Sequence, residues 1–144
     1  MLVRAILNSK SGSEVVTVKT SASVADAAKI LSEKRIGTVV VSDDGETPNG
    51  ILSERDIVRE LAKSGSGCLT QAVSTYMTSE LVTCTSDSNV QDVLAQMTEG
   101  RFRHMPVVEA GKLVGIVTLG DAVKAQLAEV AMEKDALAGM IMGH

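Results

Sequence analysis

The sequence predicts an α+β fold built from two copies of one small unit, each reading strand, helix, strand, strand, helix, with an extended C-terminal helix. Three observations predict it. The string Gly50-Ile51-Leu52-Ser53-Glu54-Arg55-Asp56-Ile57-Val58 has the same grammar as Gly115-Ile116-Val117-Thr118-Leu119-Gly120-Asp121-Ala122-Val123: glycine, apolar strand, hydroxyl, two spacers, carboxylate, apolar helical pattern. Identities then recur at fixed offsets, 66 for Val24/Val90, Asp26/Asp92, Glu33/Glu99, Arg35/Arg101 and Val41/Val107, and 65 for Gly50/Gly115, Ile51/Ile116, Asp56/Asp121 and Val58/Val123. The slip of one falls in a hairpin turn, where an insertion is best tolerated. Finally, one such unit leaves an apolar sheet face uncovered. Two copies bury it by packing sheet to sheet about a pseudo-twofold axis, which leaves two related clefts ending at the two strand-to-helix junctions.

Each element has a local reason. Val3 to Leu7 reads as a helical lead-in, followed by a polar loop over Asn8 to Ser13. Val15 to Val18 is a compact β-branched strand. Ser23 caps a helix from Val24 to Lys34, with Asp26 three residues on and Val24, Ala27, Ala28 and Leu31 on one face. Ile36 to Val41 is the next strand, and the turn-rich Asp43 to Gly50 returns the chain into Ile51-Leu52. Ser53 opens a helix to about Lys63. Ser64-Gly65-Ser66-Gly67 reads as a flexible break, so the first repeat with its lead-in spans 1–66 and the second 67–127, with 128–144 extending the last helix. In the second copy Val82-Thr83-Cys84 is a strand, and Asn89 caps a helix from Val90 to Glu99. Arg103 to Val108 and Leu113 to Val117 pair across an Ala110-Gly111 turn. Thr118 caps the last helix, with Asp121 in its first turn.

Composition narrows the function classes. Hydrophobic residues make up 44% of 144 residues but aromatics only 1%, so the core and any pocket walls are aliphatic. A net charge of -4 argues against nucleic acid, since phosphate-backbone binding needs a basic surplus. Cys68 and Cys84 have no metal-ligand spacing and read as free thiols of a reducing cytosol. No uncharged apolar run reaches the roughly 18 residues of a membrane span, and the N-terminus does not read as a signal peptide, so a cytoplasmic protein is expected. No nucleophile elbow, zinc helix, P-loop or paired acid–base constellation is present, so no catalytic residue and no metal ligand is assigned and no enzyme is expected.

From about Val3 to Leu127 the chain resembles the CBS-domain pair, or Bateman module, of the stand-alone bacterial type. The resemblance is carried by Gly50 to Val58 with Ser53-x-x-Asp56, by Arg101-Phe102-Arg103-His104-Met105-Pro106-Val107-Val108, and by Gly115 to Asp121. Tyr76-Met77-Thr78 is similar to the family's usual entry to its second repeat. The resemblance implies a regulatory module whose clefts bind AMP, ADP, ATP, NAD(H) or S-adenosylmethionine, and a homodimer acting on a separate protein.

On that reading Asp56 and Asp121 each accept the two hydroxyls of a ribose, and Ser53 and Thr118 bond ribose or phosphate oxygens at helix mouths. The same residues also form a capping box, which needs no ligand. Arg55, Arg103 and His104 are the phosphate candidates. They are lopsided, because Gly37 and Thr38 stand where the second repeat has Arg103 and His104, and Gly120 stands where the first has Arg55. A solvated surface charge is the plain alternative for each of these basic residues, and a helix ion pair for Arg55 or Arg59. The adenine pocket is assigned to Val16, Val39, Val82, Met105 and Pro106, with the base edge read by backbone groups near Val39 or Met105. Val123, Leu127, Val130, Leu137 and Ile141 form an apolar stripe interrupted by Lys134, which reads as packing on a partner subunit or, in the plainer alternative, back on its own module, with Met132, Met140 and Met142 filling gaps in the interface. A protein-binding module indifferent to nucleotide is the other function class.

Overall fold

The computed structural model describes residues 1–10 and 15–141. In chain order it runs α1 (Val3–Ser9), β1 (Thr17–Val18), α2 (Val24–Lys34), β2 (Thr38–Val41), β3 (Gly50–Ser53), α3 (Glu54–Ser64), two 3-10 turns (Gly65–Thr70 and Val73–Thr75), α4 (Val90–Gly100), β4 (His104–Glu109), β5 (Lys112–Thr118) and α5 (Leu119–Ile141). Of the loop expected at Asn8 to Ser13, residues 11–13 lie outside the described residues, as does Met142.

The first sheet has the order β1-β2-β3, with β1 parallel and β3 antiparallel to β2. The second sheet is the antiparallel hairpin β4-β5, turned through Ala110 and Gly111, both at positive φ (51° and 78°), the conformation a two-residue hairpin loop demands. The strand expected at Val82 to Cys84 is absent; only Cys84 bridges to Val107. A single residue explains the difference. In the first repeat Val40 N donates to Val16 O (3.1 Å) and Ser42 N to Val18 O (2.8 Å). The second repeat keeps the latter bond as Val108 N to Cys84 O (2.8 Å), but Pro106 stands where Val40 does and has no N–H to offer Val82.

The expected break at Ser64 to Gly67 is likewise corrected. Ser64 ends α3 and residues 65–70 form a 3-10 turn that buries Cys68 to 1% exposure. That seated thiol, together with contacts to α2 and α3, outweighs the conformational freedom of the two glycines.

Two hydrophobic clusters form, one per repeat. Val24, Ala27 and Leu31 of α2 pack on Val39, Val41 and Leu52; Val90, Val93 and Met97 of α4 pack on Met105, Val107 and Val117. The segments that complete them are exchanged. Val3 N and Arg4 N donate to Ser88 O and Ser86 O (both 2.9 Å), and Val90 N donates to Met1 O. Seventy residues on, Val73 N and Ser74 N donate to Ala22 O (2.8 Å) and Thr20 O (3.3 Å), and Val24 N to Gln71 O. Sequence order therefore gives residues 1–9 to the first repeat, whereas in space they complete the second.

This crossing explains two glycines. A Cβ on Gly50 would stand 2.7 Å from Met77 Sδ and 2.8 Å from Thr78 O, and one on Gly115 would stand 2.6 Å from Leu7 Cδ2. Leu7 and Met77 are again seventy apart. The last helix is long, as expected: only Ala122 and Ala125 of it are buried, while Leu137 and Ile141 are 57% and 78% exposed.

Candidate functional site

Both strand-to-helix junctions close as capping boxes. At the first, Ser53 Oγ accepts from Asp56 N (3.2 Å), while Asp56 Oδ2 accepts from Ser53 N (2.9 Å) and from the Ser53 hydroxyl (3.0 Å). At the second, Thr118 Oγ1 accepts from Asp121 N and Asp121 Oδ2 from Thr118 N, both at 3.0 Å. The helix mouths are held by matching backbone bonds, Glu54 N to Gly37 O (2.9 Å) and Leu119 N to Arg103 O (2.8 Å). Capping is thus built in at both sites, and it fixes each carboxylate just past the end of a partly buried strand.

The carboxylates differ in what else they hold. Asp56 Oδ1 accepts from Arg59 Nη2 at 2.8 Å, where Asp56 is 13% and Arg59 61% exposed. Asp121 Oδ2 accepts from Lys10 Nζ at 2.8 Å, and that ammonium also donates to Ile116 O at 3.1 Å. Burial pushes the Asp121 carboxyl upward, but the Lys10 and Thr118 hydrogen bonds and the Lys10 charge outweigh it and hold the group below its ordinary value.

Two cavities lie between the repeats. The first, about 540 Å³, opens on Ser53, Asp56, Arg55, Arg103, His104 and Val82. Arg59 and Arg101 join them, so four arginines line one cleft together with Glu54, Asp56 and Glu80. The phosphate candidates of the two repeats therefore meet in the same place. The second cavity, about 350 Å³, is lined by Lys10, Val16, Arg35, Val40, Ile116 and Thr118, with Gly37, Thr38 and His104 shared between the two. Asp121 does not line it; Lys10, standing on that carboxylate, does.

Of the expected adenine wall, Val82 lies in the first cleft and Val16 in the second, each opposite the junction of the other repeat. Val39 and Met105 do not line either cleft. Strand alternation turns their side chains into the two hydrophobic clusters, at 0% exposure. Pro106 is buried and lines neither cavity.

The imidazole of His104 sits at the partition. Burial lowers its pKa below the usual histidine value; Arg103 and Lys10 act in the same direction, against Glu54 and Asp121. Thr38, its counterpart in the first repeat, is 7% exposed, and its Oγ1 has no hydrogen-bond partner among the described residues. An orphaned buried hydroxyl on a cavity wall is a vacant contact for a polar ligand atom. Lys10 and Arg101 were not readable as site residues: Lys10 arrives from more than a hundred residues away, and Arg101 reads locally as the left-handed cap that ends α4. A signal for Arg101 did exist, since Arg35 occupies the same position in the first repeat and lines the other cleft.

The family model for the CBS domain matches twice, over residues 3–63 and 73–128. The chain belongs to the CBS-domain family. A CBS-domain-containing protein of Agrobacterium tumefaciens is similar in structure, with a TM-score of 0.83, 43% identity, and coverage of 88% of this chain and 99% of that one. A CBS-domain protein of Pyrobaculum aerophilum complexed with AMP matches at TM-score 0.75 and 25% identity over 90% of this chain and 99% of its own. The CBS domain pair of protein MJ0100, in complex with 5-methylthioadenosine and S-adenosyl-L-methionine, matches at 0.77 and 27% over 90% and 98%. Among curated CBS-domain relatives, the chain spans 62% of one Arabidopsis thaliana protein and 20% of another. No helix among the described residues is long and apolar enough to cross a membrane.

Proposed function

We propose that this chain is a non-enzymatic sensor of adenosine-containing ligands (AMP, ADP, ATP or NAD(H)) bound in the clefts between its CBS repeats. The first cleft carries the reading. A capped carboxylate, four arginines and an aliphatic wall with Ile51 and Val82 converge on about 540 Å³, inside the range of roughly 300–1,000 Å³ of small-molecule sites. A ribose diol can bond one carboxylate through both hydroxyls, and the arginines suit a phosphate. Arg59 already stands on Asp56, but that pair is mostly exposed on the arginine side and contributes only about 0–1 kcal/mol, so an entering diol displaces it at little cost. The adenosine compounds in the two related structures support the choice of base. Because both repeats wall each cleft, a ligand that prefers one spacing of the repeats shifts the population toward it.

The output surface in this reading is α5, whose stripe of Val123, Leu127, Val130, Leu137 and Ile141 is 42% to 78% exposed and suits a second copy of the chain. Titration calorimetry with AMP, ATP and NADH on the full chain and on Asp56→Ala/Asp121→Ala tests the site. Binding by the unaltered chain, lost or weakened about tenfold or more in the double variant, is expected. Equal heats for both proteins refute the ribose assignment.

One observation favours the other reading, a protein-binding module indifferent to nucleotide: both carboxylates already have partners within the chain, Arg59 and Lys10. Absence of heat with all three compounds would select it.

A further inference from the structure

The two clefts meet on three residues, Gly37, Thr38 and His104, which line both. Two of them occupy the same position of the duplicated unit: Thr38 opens β2, His104 opens β4, and they lie 66 apart. Each stands directly across its sheet from a junction hydroxyl, Thr38 opposite Ser53 and His104 opposite Thr118. Residues opposite one another on neighbouring strands carry their side chains on one face, about 4.5–5.5 Å apart at Cβ. Ser53 lines the first cleft and Thr118 the second, so the shared wall runs from one junction to the other.

That wall suits an anion. Thr38 is 7% exposed, and its Oγ1 is shut off from water with no hydrogen-bond partner among the described residues. No such bond holds the hydroxyl in its rotamer, so a turn about χ1 presents it to a ligand without breaking one. His104 has an N–H to donate whether its ring is neutral or charged. Gly37 leaves room beside the ring: a Cβ there would meet only ordinary contacts, His104 Cε1 and Nε2 at 3.6 Å and Glu54 Oε1 at 3.7 Å. Arginines flank the wall on either side, Arg101 and Arg103 in the first cleft and Arg35 in the second.

We propose that Thr38 and His104 form one phosphate subsite shared by the two clefts, for which phosphate-bearing adenosine ligands compete from either side, while uncharged nucleosides fill the clefts independently. The wall offers one hydroxyl and one imidazole, not a pair of each, because the repeats differ at this position. The first phosphate to arrive takes both donors and leaves its charge beside the other cleft. The second ligand then binds without those hydrogen bonds and against a like charge. Negative coupling of this kind spreads the response over a wider range of ligand concentration than two equal, independent sites give.

The inference rests on the clefts taking adenosine compounds, and the experiment separates the two claims. AMP and adenosine are titrated by calorimetry into the full chain and into its Thr38→Val, His104→Leu and His104→Gln variants. Adenosine, having no phosphate, measures how far the clefts differ on their own. The two AMP steps are expected to lie further apart than the adenosine steps by about tenfold or more, the value of one hydrogen bond to a charged group. A second AMP step too weak to detect is the extreme of the same result. Thr38→Val weakens the first AMP step by a comparable factor and leaves the second step and adenosine unchanged. It also keeps or raises Tm, because it removes a buried hydroxyl that nothing satisfies, whereas loss of a merely structural residue would lower Tm. His104→Leu narrows the AMP gap likewise, and His104→Gln, which keeps an N–H, restores part of it. AMP steps no further apart than those of adenosine, adenosine that fills one cleft or neither, or a Thr38→Val variant that shifts both ligands alike overturns the shared subsite while leaving the sensor intact. No heat from AMP with the unaltered chain overturns the sensor reading and the subsite with it.

Discussion

Replacing Gly50 by alanine tests the exchanged lead-ins, because it puts one methyl group where the two repeats cross. A Cβ there stands 2.7 Å from Met77 Sδ, 2.9 Å from Met77 Cγ and 2.8 Å from Thr78 O, against ordinary contact beginning at 3.4 Å. The methionine is flexible and swings aside. The carbonyl is not: Thr78 O accepts from Ile51 N (3.0 Å) and Thr78 N donates to Ile51 O (2.9 Å), so retreat breaks a two-bond bridge. Overpacking of this kind costs about 1–3 kcal/mol. Gly115→Ala is the internal control. Its nearest obstacle is a terminal methyl of Leu7 (2.6 Å), with no backbone atom among the nearest three, so a rotamer change absorbs most of the clash. Alanine also recovers roughly 0.5–1 kcal/mol of backbone entropy in a strand, leaving Gly115→Ala near neutral. Urea unfolding of both variants measures the difference, which corresponds to roughly 2–4 °C in Tm per kcal/mol for a chain of this size. Equal midpoints, or a larger loss in Gly115→Ala, refute the claim that a fixed carbonyl crosses at Gly50.

Two further expectations follow from the same geometry. His104 has a folded pKa below its unfolded value of about 6.5, so the folded state binds fewer protons there; its stabilising contribution is complete above that value and is lost as pH falls through the folded pKa. The urea midpoint should therefore drop between pH 7.5 and 5.5, and His104→Gln should flatten the slope; an unchanged slope refutes it. Asp121, held below its ordinary value, loses its contribution only at lower pH and does not confuse that window. On α5, Leu127→Glu and Leu137→Glu place charges on an exposed stripe, so the monomer keeps its melting temperature while light scattering shows the dimer dissociating; an unchanged mass, or a monomer to begin with, removes α5 as the subunit contact.

The sequence alone held the duplication, the two junctions and, the missing strand at Val82 to Cys84 aside, the order of elements within each repeat. Those are properties of neighbours along the chain: Ser53-x-x-Asp56 and Thr118-x-x-Asp121 cap because a side chain reaches three residues on, and Val24, Ala27 and Leu31 share a face because a helix turns every 3.6 residues. It also held a fact that needed the partner strand to interpret, since Pro106 removes the donor that a strand at Val82 requires.

Which groups share a cleft follows from contacts between segments distant in the chain. Arg55, Arg101 and Arg103 come from different repeats yet line one cleft, and Val39 and Met105 turn away because successive strand residues point to opposite faces. Lys10 reaches Asp121, and Glu80 its own cleft, because each lead-in crosses to the other repeat. Local spacing carries no record of such a crossing: the contact energy that fixes it is gained between segments far apart in the chain, and it appears only once both repeats have folded against each other.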